Sequence, residues 1–429
     1  MDWKINNAKK GLKGGLAPPP DKSISHRAVM FGSIASGTCR VENFLFSEDC
    51  RRTLEAFRAM GVRIKEEKNA LTIEGKGLKG LVAPEGELYM GNSGTSMRII
   101  SGILAGQSFP ATLTGDESLS KRPMRRIVDP LKQMGANIDT LNKDFPPVKI
   151  SPAKGPLKAI DYKTPVASAQ VKSCVLAAGL YAKGGTSVTE PFHSRDHTER
   201  MLKYFSADIK QDGLKTTISG MKELAARDVT IPGDISSAAF FIVGALLCEG
   251  SKVILKNVGL NFTRDGLLRT LKRMGGKIEV EELHGGVEPV GDIEIVTSEL
   301  TGTTVEADQI PSMIDEVPVL IIAAARAKGR TEIKGISELK VKESDRVKTM
   351  AANLSKLGVG ISEKGDTLVI DGGCKRFKAA ELDSFGDHRI AMSMAVAALV
   401  SDGTCTIKNT DCVNTSYPGF LRDLEQLSR

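Results

Sequence analysis

Apolar residues dominate six segments of the chain, and each segment stops at a glycine. Segments such as AAFFIVGALLCEG are apolar nearly all round, which is typical of a helix buried on every side. The glycines recur about seventy residues apart, which indicates an internal repeat. We therefore predict six copies of one folding unit, each with a buried first helix that ends near Gly37, Gly106, Gly184, Gly250, Gly329 or Gly403.

A β-like stretch follows these glycines, for example at residues 38–41 and 252–255. A second helix is then expected to open on a serine or threonine, as N-caps do, and it is amphipathic. It mostly ends on glycine and is followed by short strands. The pattern predicts a βαβαββ unit whose second helix starts near Ser47, Ser120, Ser194 or Thr263.

A two-helix repeat cannot cover a helix that is apolar on all sides, so the units are expected to cluster. We predict an α/β fold of two lobes, each with three repeats packed around the buried helices, an inside-out α/β barrel. Segments 14–20 and 231–234, rich in glycine and proline, are predicted linkers. An open solenoid is disfavoured, because most solenoid repeats are about 20 to 50 residues long.

Composition narrows the possible functions. The 59 basic and 52 acidic residues give a net charge of +7 without a basic tail, which favours small anionic ligands over nucleic acid. Aromatic residues make up 5% of the chain, too few for a base-stacking surface. Seven cysteines without a C-x-x-C pair predict free thiols. With neither a signal-like segment nor a membrane span expected, the sequence predicts a cytoplasmic protein.

Cations and hydroxyls cluster where several of the predicted helices begin. Helix N-termini attract phosphate and carboxylate groups, and arginine adds two parallel hydrogen bonds. The alternative is that each charge is a solvated surface residue. Recurrence at equivalent points favours binding of phosphorylated anions at Lys22, Ser23, Arg27, the loop 91–98, Lys121, Arg122, Ser168, Gln170, Arg195, the segment 342–346, His388 and Arg389.

Carboxylates stand out in the fifth copy. Asp315 and Glu316 come where an apolar helix begins, and Glu343 follows Lys342. General acid and base catalysis is one interpretation, and a simple helix cap is an equally weighted one. His193 and His197 are interpreted as helix-start or surface residues because a third metal ligand is missing, and His284 is predicted to lie in a turn.

Together these residues make the chain similar to the 5-enolpyruvylshikimate-3-phosphate synthase family over essentially its whole length. The family fold implies an N-terminal lobe of residues 21–234 with repeats one to three. Residues 1–20 plus 235–429 are then the C-terminal lobe, with repeats four to six. The motifs that carry the resemblance are Asp21 to Ser23 with Arg27, Gly91, Asn92, Gly94, Thr95 and Arg98, residues 121–124, Ser168 with Gln170, residues 314–316, residues 342–346 and residues 386–389.

The resemblance implies an enolpyruvyl transferase of the shikimate pathway. The 5-hydroxyl of shikimate 3-phosphate would attack C2 of phosphoenolpyruvate, C3 would be protonated, and the tetrahedral adduct would expel phosphate. No metal or organic cofactor is implied. Asp315 would be the base, with Glu343 and Lys22 as candidates for proton transfer at the enol carbon. Closure of the lobes on binding is expected, since both lobes supply site residues.

Substrate contacts are carried over from the family position by position. Shikimate 3-phosphate would be held by Lys22, Ser23, Arg27, Ser168, Ala169, Gln170, Arg195, Asp315 and Lys342. Phosphoenolpyruvate would be held by Lys22, Gly94, Arg122, Gln170, Arg346 and Arg389. No nucleic-acid or membrane partner is implied, and a monomer is expected. The fourth copy is interpreted as chiefly structural.

Three positions resemble the second branch of the family, known for glyphosate-tolerant members: Ala169, Arg195 and Thr415. Gly94, however, keeps the small residue that leaves room for glyphosate, and the resemblance implies a glyphosate target. The related enolpyruvyl transferase of peptidoglycan synthesis typically has a cysteine in the second copy's loop, and residues 114–122 contain none. A non-catalytic scaffold would leave Asp315, Lys342 and Glu343 unexplained.

Overall fold

The computed structural model describes residues 1–283 and 286–429, and His284, predicted to lie in a turn, is outside them. Contacts divide the chain into two compact units. Unit 1 contains Met1–Pro19, Pro232–Gly285 and Pro289–Arg429. Unit 2 contains Pro20–Ile231 and Gly286–Glu288. Among the described residues, no helix combines the length and apolarity needed to cross a bilayer.

The α-helices alternate between buried and amphipathic ones. In chain order they are α1 (Lys22–Ser33), α2 (Glu48–Ala59), α3 (Gly94–Leu104), α4 (Arg125–Gln133), α5 (Ala169–Gly179), α6 (His197–Tyr204), α7 (Ile235–Leu247), α8 (Gly266–Arg273), α9 (Val317–Arg326), α10 (Arg346–Lys356), α11 (His388–Leu399) and α12 (Phe420–Ser428). Short 3₁₀ helices cover Leu119–Lys121, Ala307–Ser312, Ser337–Val341 and Thr410–Thr415.

The strands are short and separate these helices. The first are β1 (Trp3–Ile5), β2 (Lys13–Leu16), β3 (Ala35–Glu42), β4 (Arg63–Glu66), β5 (Ala70–Lys76), β6 (Leu88–Tyr89), β7 (Ala111–Thr114), β8 (Asn137–Asn142), β9 (Phe145–Ser151), β10 (Leu157–Lys158), β11 (Asp161–Lys163), β12 (Ala182–Lys183), β13 (Gly185–Thr189), β14 (Ile209–Asp212), β15 (Lys215–Ser219), β16 (Leu224–Ala225) and β17 (Val229–Thr230). The rest are β18 (Lys252–Gly259), β19 (Lys277–Leu283), β20 (Val290–Val296), β21 (Thr304–Val305), β22 (Arg330–Lys334), β23 (Ile361–Lys364), β24 (Thr367–Asp371), β25 (Glu381–Asp383) and β26 (Cys405–Lys408).

Unit 2 contains three similar sheets. The second repeat has the order β6-β7-β9-β8 and the third has β11-β13-β15-β14, with the first strand parallel to its neighbour in both. The first repeat has β3-β5-β4, and its parallel strands β16 and β17 come from the far end of the same unit. This return of the chain closes unit 2.

In unit 1 the N-terminal segment supplies strands to the sheets of two later repeats. The fourth repeat has the order β19-β20-β18-β2, so β2 supplies the strand parallel to β18. The fifth repeat has β21-β22-β24-β23, and the sixth has β1-β26-β25 with β1 antiparallel to β26. Within the described part of the chain each sheet is open. The predicted α/β class, with strands around buried helices, is confirmed.

The six first helices form the two cores. Every residue of α7 is buried, and α7, α9 and α11 contact one another in unit 1. In unit 2, α3 contacts both α1 and α5. Gly102 allows α3 to approach α5 closely, because a Cβ there would lie 2.2 Å from the carbonyl oxygen of Cys174 on α5. The predicted buried helices are therefore confirmed.

Three local predictions are wrong. Residues 14–16 are part of strand β2 rather than a linker, since Gly14, Gly15 and Leu16 pair with β18. The first helix ends at Ser33 instead of Gly37, because strand β3 already begins at Ala35. The second helices begin later than predicted at Ser120, Ser194 and Thr263, since α4, α6 and α8 start at Arg125, His197 and Gly266.

Candidate active site

The start of α1 carries three predicted site residues in unit 2. Asp21 caps the helix by accepting from the backbone N–H of Ile24. Lys22 Nζ lies 3.1 Å from Asp49 Oδ2 on α2, and both side chains are mostly buried. Ser23 is partly buried, and its carbonyl accepts a bond from Arg27. The first turn of α1 therefore presents one lysine and one hydroxyl on a fixed backbone.

Arg27 is fully enclosed and links three elements of unit 2. Its Nε donates to Thr198 Oγ1 on α6 at 2.7 Å, and a terminal nitrogen donates to Ser173 Oγ on α5 at 2.9 Å. Burial lowers the pKa of its guanidinium from 12.5 to about 10, and nearby Glu199 opposes this shift. Arg27 remains a cation at neutral pH, so it supplies fixed positive charge where α1, α5 and α6 meet.

The predicted phosphoenolpyruvate residues of unit 2 lie around the start of α3. Arg98 donates to Gln170 Oε1, and the Gln170 amide donates to Thr95 Oγ1 at 3.1 Å. Arg122 donates to the side-chain oxygen of Asn92 at 2.6 Å. A Cβ at Gly94 would lie 3.0 Å from one Arg98 nitrogen and 3.6 Å from one Arg122 nitrogen. Two guanidinium groups therefore flank the loop before α3.

The start of α5 holds the other predicted contacts of this unit. Ser168 is the N-cap, and its hydroxyl accepts from the backbone N–H of Val171 at 3.5 Å. Ala169 and Gln170 form the first turn. Arg195 is partly buried in the loop before α6 and lies near Arg27, whose pKa its charge helps to lower. The structure thus brings the predicted shikimate 3-phosphate residues of unit 2 to neighbouring helix starts.

In unit 1, Arg346 binds three carboxylates at once. Its Nε donates to Asp387 at 2.9 Å, and its terminal nitrogens donate to Asp315 at 3.0 Å and to Glu343 at 2.7 Å. The arginine is 2% exposed and Asp387 is 0% exposed. These carboxylates raise the pKa of Arg346 above its ordinary value despite its burial. Both predicted catalytic acids are therefore fixed on one cation.

The structure separates the roles of Asp315 and Glu316. Glu316 occupies the N-cap position of α9 without a side-chain capping bond, and it accepts from the Ser236 hydroxyl instead. Asp315 bonds to Arg346. Lys342 is partly buried beside them; burial lowers its pKa, and the charge of Asp315 opposes that shift. The helix-cap interpretation is thus correct for the position of Glu316, although its side chain makes no capping bond, and it is wrong for Asp315, which lies outside the cap position.

The fourth repeat contacts the predicted site. The carbonyl of Ser236 accepts from Arg389 at 3.1 Å, and its hydroxyl accepts from buried Arg264 at 2.6 Å. Arg264 also lies 3.3 Å from Asp234, the cap of α7. The fourth repeat, predicted to be chiefly structural, thus anchors one of the predicted phosphoenolpyruvate residues.

His197 is buried at the first position of α6, so its predicted helix-start position is correct and a surface position is wrong. Its Nδ1 lies 2.6 Å from Glu288, and with Asp196 these side chains form a group whose spacing would suit a metal ion. The oxygens of Asp196 already accept from Arg200 at 2.9 and 3.0 Å. His193 is exposed.

Sequence reasoning missed the contacts that Asp387 and Glu190 make with predicted site residues. Asp387 stands in the GDHR motif, but only its hydrogen bond to Arg346 reveals its role. Glu190 accepts from the backbone N–H of Ser168 at 3.0 Å, and no local pattern marks it. Both contacts arise from the tertiary fold, and the spacing of residues along the chain does not indicate them.

Buried His26 gives a prediction for acid stability. It lies 2.7 Å from Thr53 Oγ1, and burial, with help from Lys22 and Arg27, lowers its pKa from 6.5 to about 3. His26 is therefore protonated below pH 6.5 in the unfolded chain, whereas in the folded protein it stays neutral down to about pH 3. As pH falls from 7 to 5, this residue should remove about 2 kcal/mol of the stability of unit 2.

Hydrogen exchange of the α1 amides at both pH values would measure this loss. His26→Gln should be less stable at pH 7 but should lack this part of the acid dependence. His193→Gln, at an exposed histidine, is the control and should keep the full dependence. An unchanged acid dependence in His26→Gln would contradict the prediction.

Comparisons with known proteins fit this geometry. Residues 6–424 match the family described as EPSP synthase (3-phosphoshikimate 1-carboxyvinyltransferase). The chain belongs to the EPSP synthase family. A 3-phosphoshikimate 1-carboxyvinyltransferase of Shouchella clausii (strain KSM-K16) is 48% identical over 427 residues, which cover 99% of this chain and 98% of the relative.

Two solved structures are also similar to this chain. An EPSP synthase from Acinetobacter baumannii superposes with a TM-score of 0.89 at 48% identity, covering 99% of this chain and 98% of the other. The enolpyruvyl transferase NikO from Streptomyces tendae has a TM-score of 0.80 at 19% identity over 99% of this chain and 96% of that one, which supports the fold alone.

The EPSP synthase assignment confirms the predicted enzyme class and reaction. This chain transfers the enolpyruvyl group in the shikimate pathway, the 3-phosphoshikimate 1-carboxyvinyltransferase step. This assignment favours the shikimate-pathway reaction over that of the peptidoglycan enzyme, and it contradicts a non-catalytic scaffold. Phosphoenolpyruvate and shikimate 3-phosphate are the substrates of the EPSP synthase family.

Proposed function

We propose that the helix starts of unit 2 hold the two anionic substrates. Arg27 supplies fixed charge there, and the cap of α5 supplies a hydroxyl and backbone N–H groups at a positive helix end. In this assignment shikimate 3-phosphate contacts Lys22, Ser23, Arg27, Ser168, Ala169, Gln170 and Arg195. Phosphoenolpyruvate contacts Lys22, Gly94, Arg122 and Gln170.

Proton transfer is assigned to Asp315, Glu343 and Lys22. Asp315 takes the proton of the 5-hydroxyl as the new C–O bond forms at C2 of phosphoenolpyruvate. Glu343 or Lys22 delivers a proton to C3, and loss of a C3 proton with departure of phosphate then restores the enol double bond. Lys342 contacts shikimate 3-phosphate, as Asp315 does, while Arg346 and Arg389 contact phosphoenolpyruvate.

The observation that carries this proposal is the set of bonds around Arg346. Each of its nitrogens donates one bond to a carboxylate, and each terminal nitrogen carries a second hydrogen. The guanidinium can therefore hold a substrate anion while keeping Asp315 and Glu343 in place. Such preorganised charge stabilises a transition state without reorganisation during the reaction.

Coupled phosphate release tests the substrate assignment. Phosphate should appear from phosphoenolpyruvate only when shikimate 3-phosphate is present, and it should match the enolpyruvyl product mole for mole. Shikimate without its phosphate and a nucleotide sugar are the two control acceptors. Release without an acceptor, or with the nucleotide sugar in place of shikimate 3-phosphate, would reject the assignment.

Units 1 and 2 are taken as the two family lobes of three repeats, close to the predicted limits at residues 20/21 and 234/235. The enzyme acts as a monomer in the cytoplasm on small molecules alone, without nucleic-acid or membrane partners. The seven cysteines, all of them free thiols, support a reducing compartment.

A further inference from the structure

A buried ion triad lies beneath the predicted phosphate-binding helix start of unit 2. Lys172 Nζ on α5 lies 2.7 Å from Glu190 and 2.7 Å from Glu199, and the lysine side chain is 3% exposed. The two carboxylates are 3% and 7% exposed. Burying three charges costs several kcal/mol in desolvation. The reaction described above assigns no role to any of them.

Glu190 connects two segments that carry predicted substrate contacts. Its Oε1 accepts from the backbone N–H of Ser168 at 3.0 Å, and the Ser194 hydroxyl donates to both of its oxygens at 2.6 and 2.9 Å. Ser168 caps α5, and Ser194 directly precedes Arg195. One carboxylate therefore fixes the α5 cap and the loop before α6.

Lys172 makes this carboxylate compatible with an anion site. An unpaired Glu190 next to the α5 cap would repel a phosphate group at short range. The lysine neutralises Glu190 and also donates to the Ser194 carbonyl at 3.4 Å. Its second partner, Glu199, lies near Arg27 and favours the charged form of that guanidinium. The triad thus extends from the α5 cap to the fixed cation of α1.

We propose that Glu190, with Lys172 as its counter-ion, is a positioning residue for shikimate 3-phosphate. It holds the Ser168 cap and the Ser194 to Arg195 loop in the binding geometry before the substrate arrives, which lowers the ordering cost of binding. This inference rests on the proposed assignment of Ser168 and Arg195 to that substrate. Glu190 itself does not contact the reacting atoms.

Glu190→Gln tests the inference, because it keeps the size of the side chain and removes its charge. The affinity for shikimate 3-phosphate, measured by calorimetry, should fall by about tenfold to a hundredfold, the usual effect of losing a supporting contact. Shikimate lacking the phosphate should lose less affinity, and KM for phosphoenolpyruvate should change by less than about threefold. Asp161→Asn, at an exposed ion pair with Lys215 in the same repeat, should change none of these constants.

A double variant separates positioning from stability. Lys172→Met alone leaves two buried carboxylates without their counter-ion and should destabilise the protein. Adding Glu190→Gln removes one of those charges and should recover stability, while the affinity for shikimate 3-phosphate stays low. Recovery of that affinity together with stability would overturn the positioning role. So would an equal loss of affinity for both substrates, or no loss, in Glu190→Gln.

Arg195→Ala distinguishes failure of this inference from failure of the underlying assignment. If Arg195 contacts shikimate 3-phosphate, its removal weakens binding even where Glu190 is intact. Unchanged affinity in Arg195→Ala would reject the substrate assignment of that loop. A weakened Arg195→Ala with an unaffected Glu190→Gln would reject the positioning role alone.

Discussion

Asp315→Ala should lower kcat by roughly 10²–10⁴-fold, the usual contribution of a general base, while the affinity for shikimate 3-phosphate falls much less. The reason is local. Asp315 is 20% exposed and is fixed by a 3.0 Å bond to Arg346. Removing it leaves Arg346 bonded to Glu343 and Asp387, so the cation that is proposed to bind phosphoenolpyruvate keeps its position.

Steady-state kinetics with both substrates, together with calorimetric binding of shikimate 3-phosphate, would measure the two effects separately. Asp308→Ala is the matched control, because Asp308 is an exposed acid in the 3₁₀ helix that precedes Asp315. It should retain full turnover. Losses of kcat and of affinity by the same factor in Asp315→Ala would indicate a positioning role and would argue against Asp315 as the base.

The buried helices could be predicted because their signal is local. A segment such as α7 is apolar on every face, so the hydrophobic effect favours its burial on all sides. Strand β2 could not be predicted in this way. Its glycines read locally as a linker, and only its pairing with β18, more than two hundred residues later in the chain, makes it a strand.

The candidate site likewise has features that the sequence predicts and features that it does not. Cations at helix starts are visible in the sequence because capping and anion binding depend on the order of residues along a few positions. The carboxylates that contact these cations and helix starts cannot be identified in the sequence. Asp387 meets Arg346 across 41 positions, and Glu190 meets Ser168 across 22. Which carboxylate neutralises which cation is decided by packing of the repeats, so the sequence indicates candidate binding residues but not the residues that hold them in place.

Arg346→Met should cost unit 1 about 3–5 kcal/mol of stability, as is typical when one partner of a buried ion pair is removed. Three carboxylates would lose their shared cation, and Asp387 is fully buried. Trp3 is the single tryptophan of the chain, and it stacks on Phe420 within unit 1 at 5.5 Å between ring centroids. Its fluorescence during urea unfolding therefore reports the stability of unit 1.

Three further variants show whether the lost stability comes from charge. Arg330→Met breaks an exposed pair with Asp371 in the same repeat and should change the Trp3 transition by less than about 0.5 kcal/mol. Adding Asp387→Asn to Arg346→Met removes the most deeply buried of the uncompensated carboxylates, so part of the loss should be recovered, and the two changes should not be additive.

Arg346→Lys keeps the charge, but a single ammonium lacks the planar fork that reaches three carboxylates, so it should recover stability only in part. A Trp3 transition that is the same in Arg346→Met and in the parent protein would mean that the cluster contributes nothing to the fold of unit 1, and that its three hydrogen bonds serve the substrate alone.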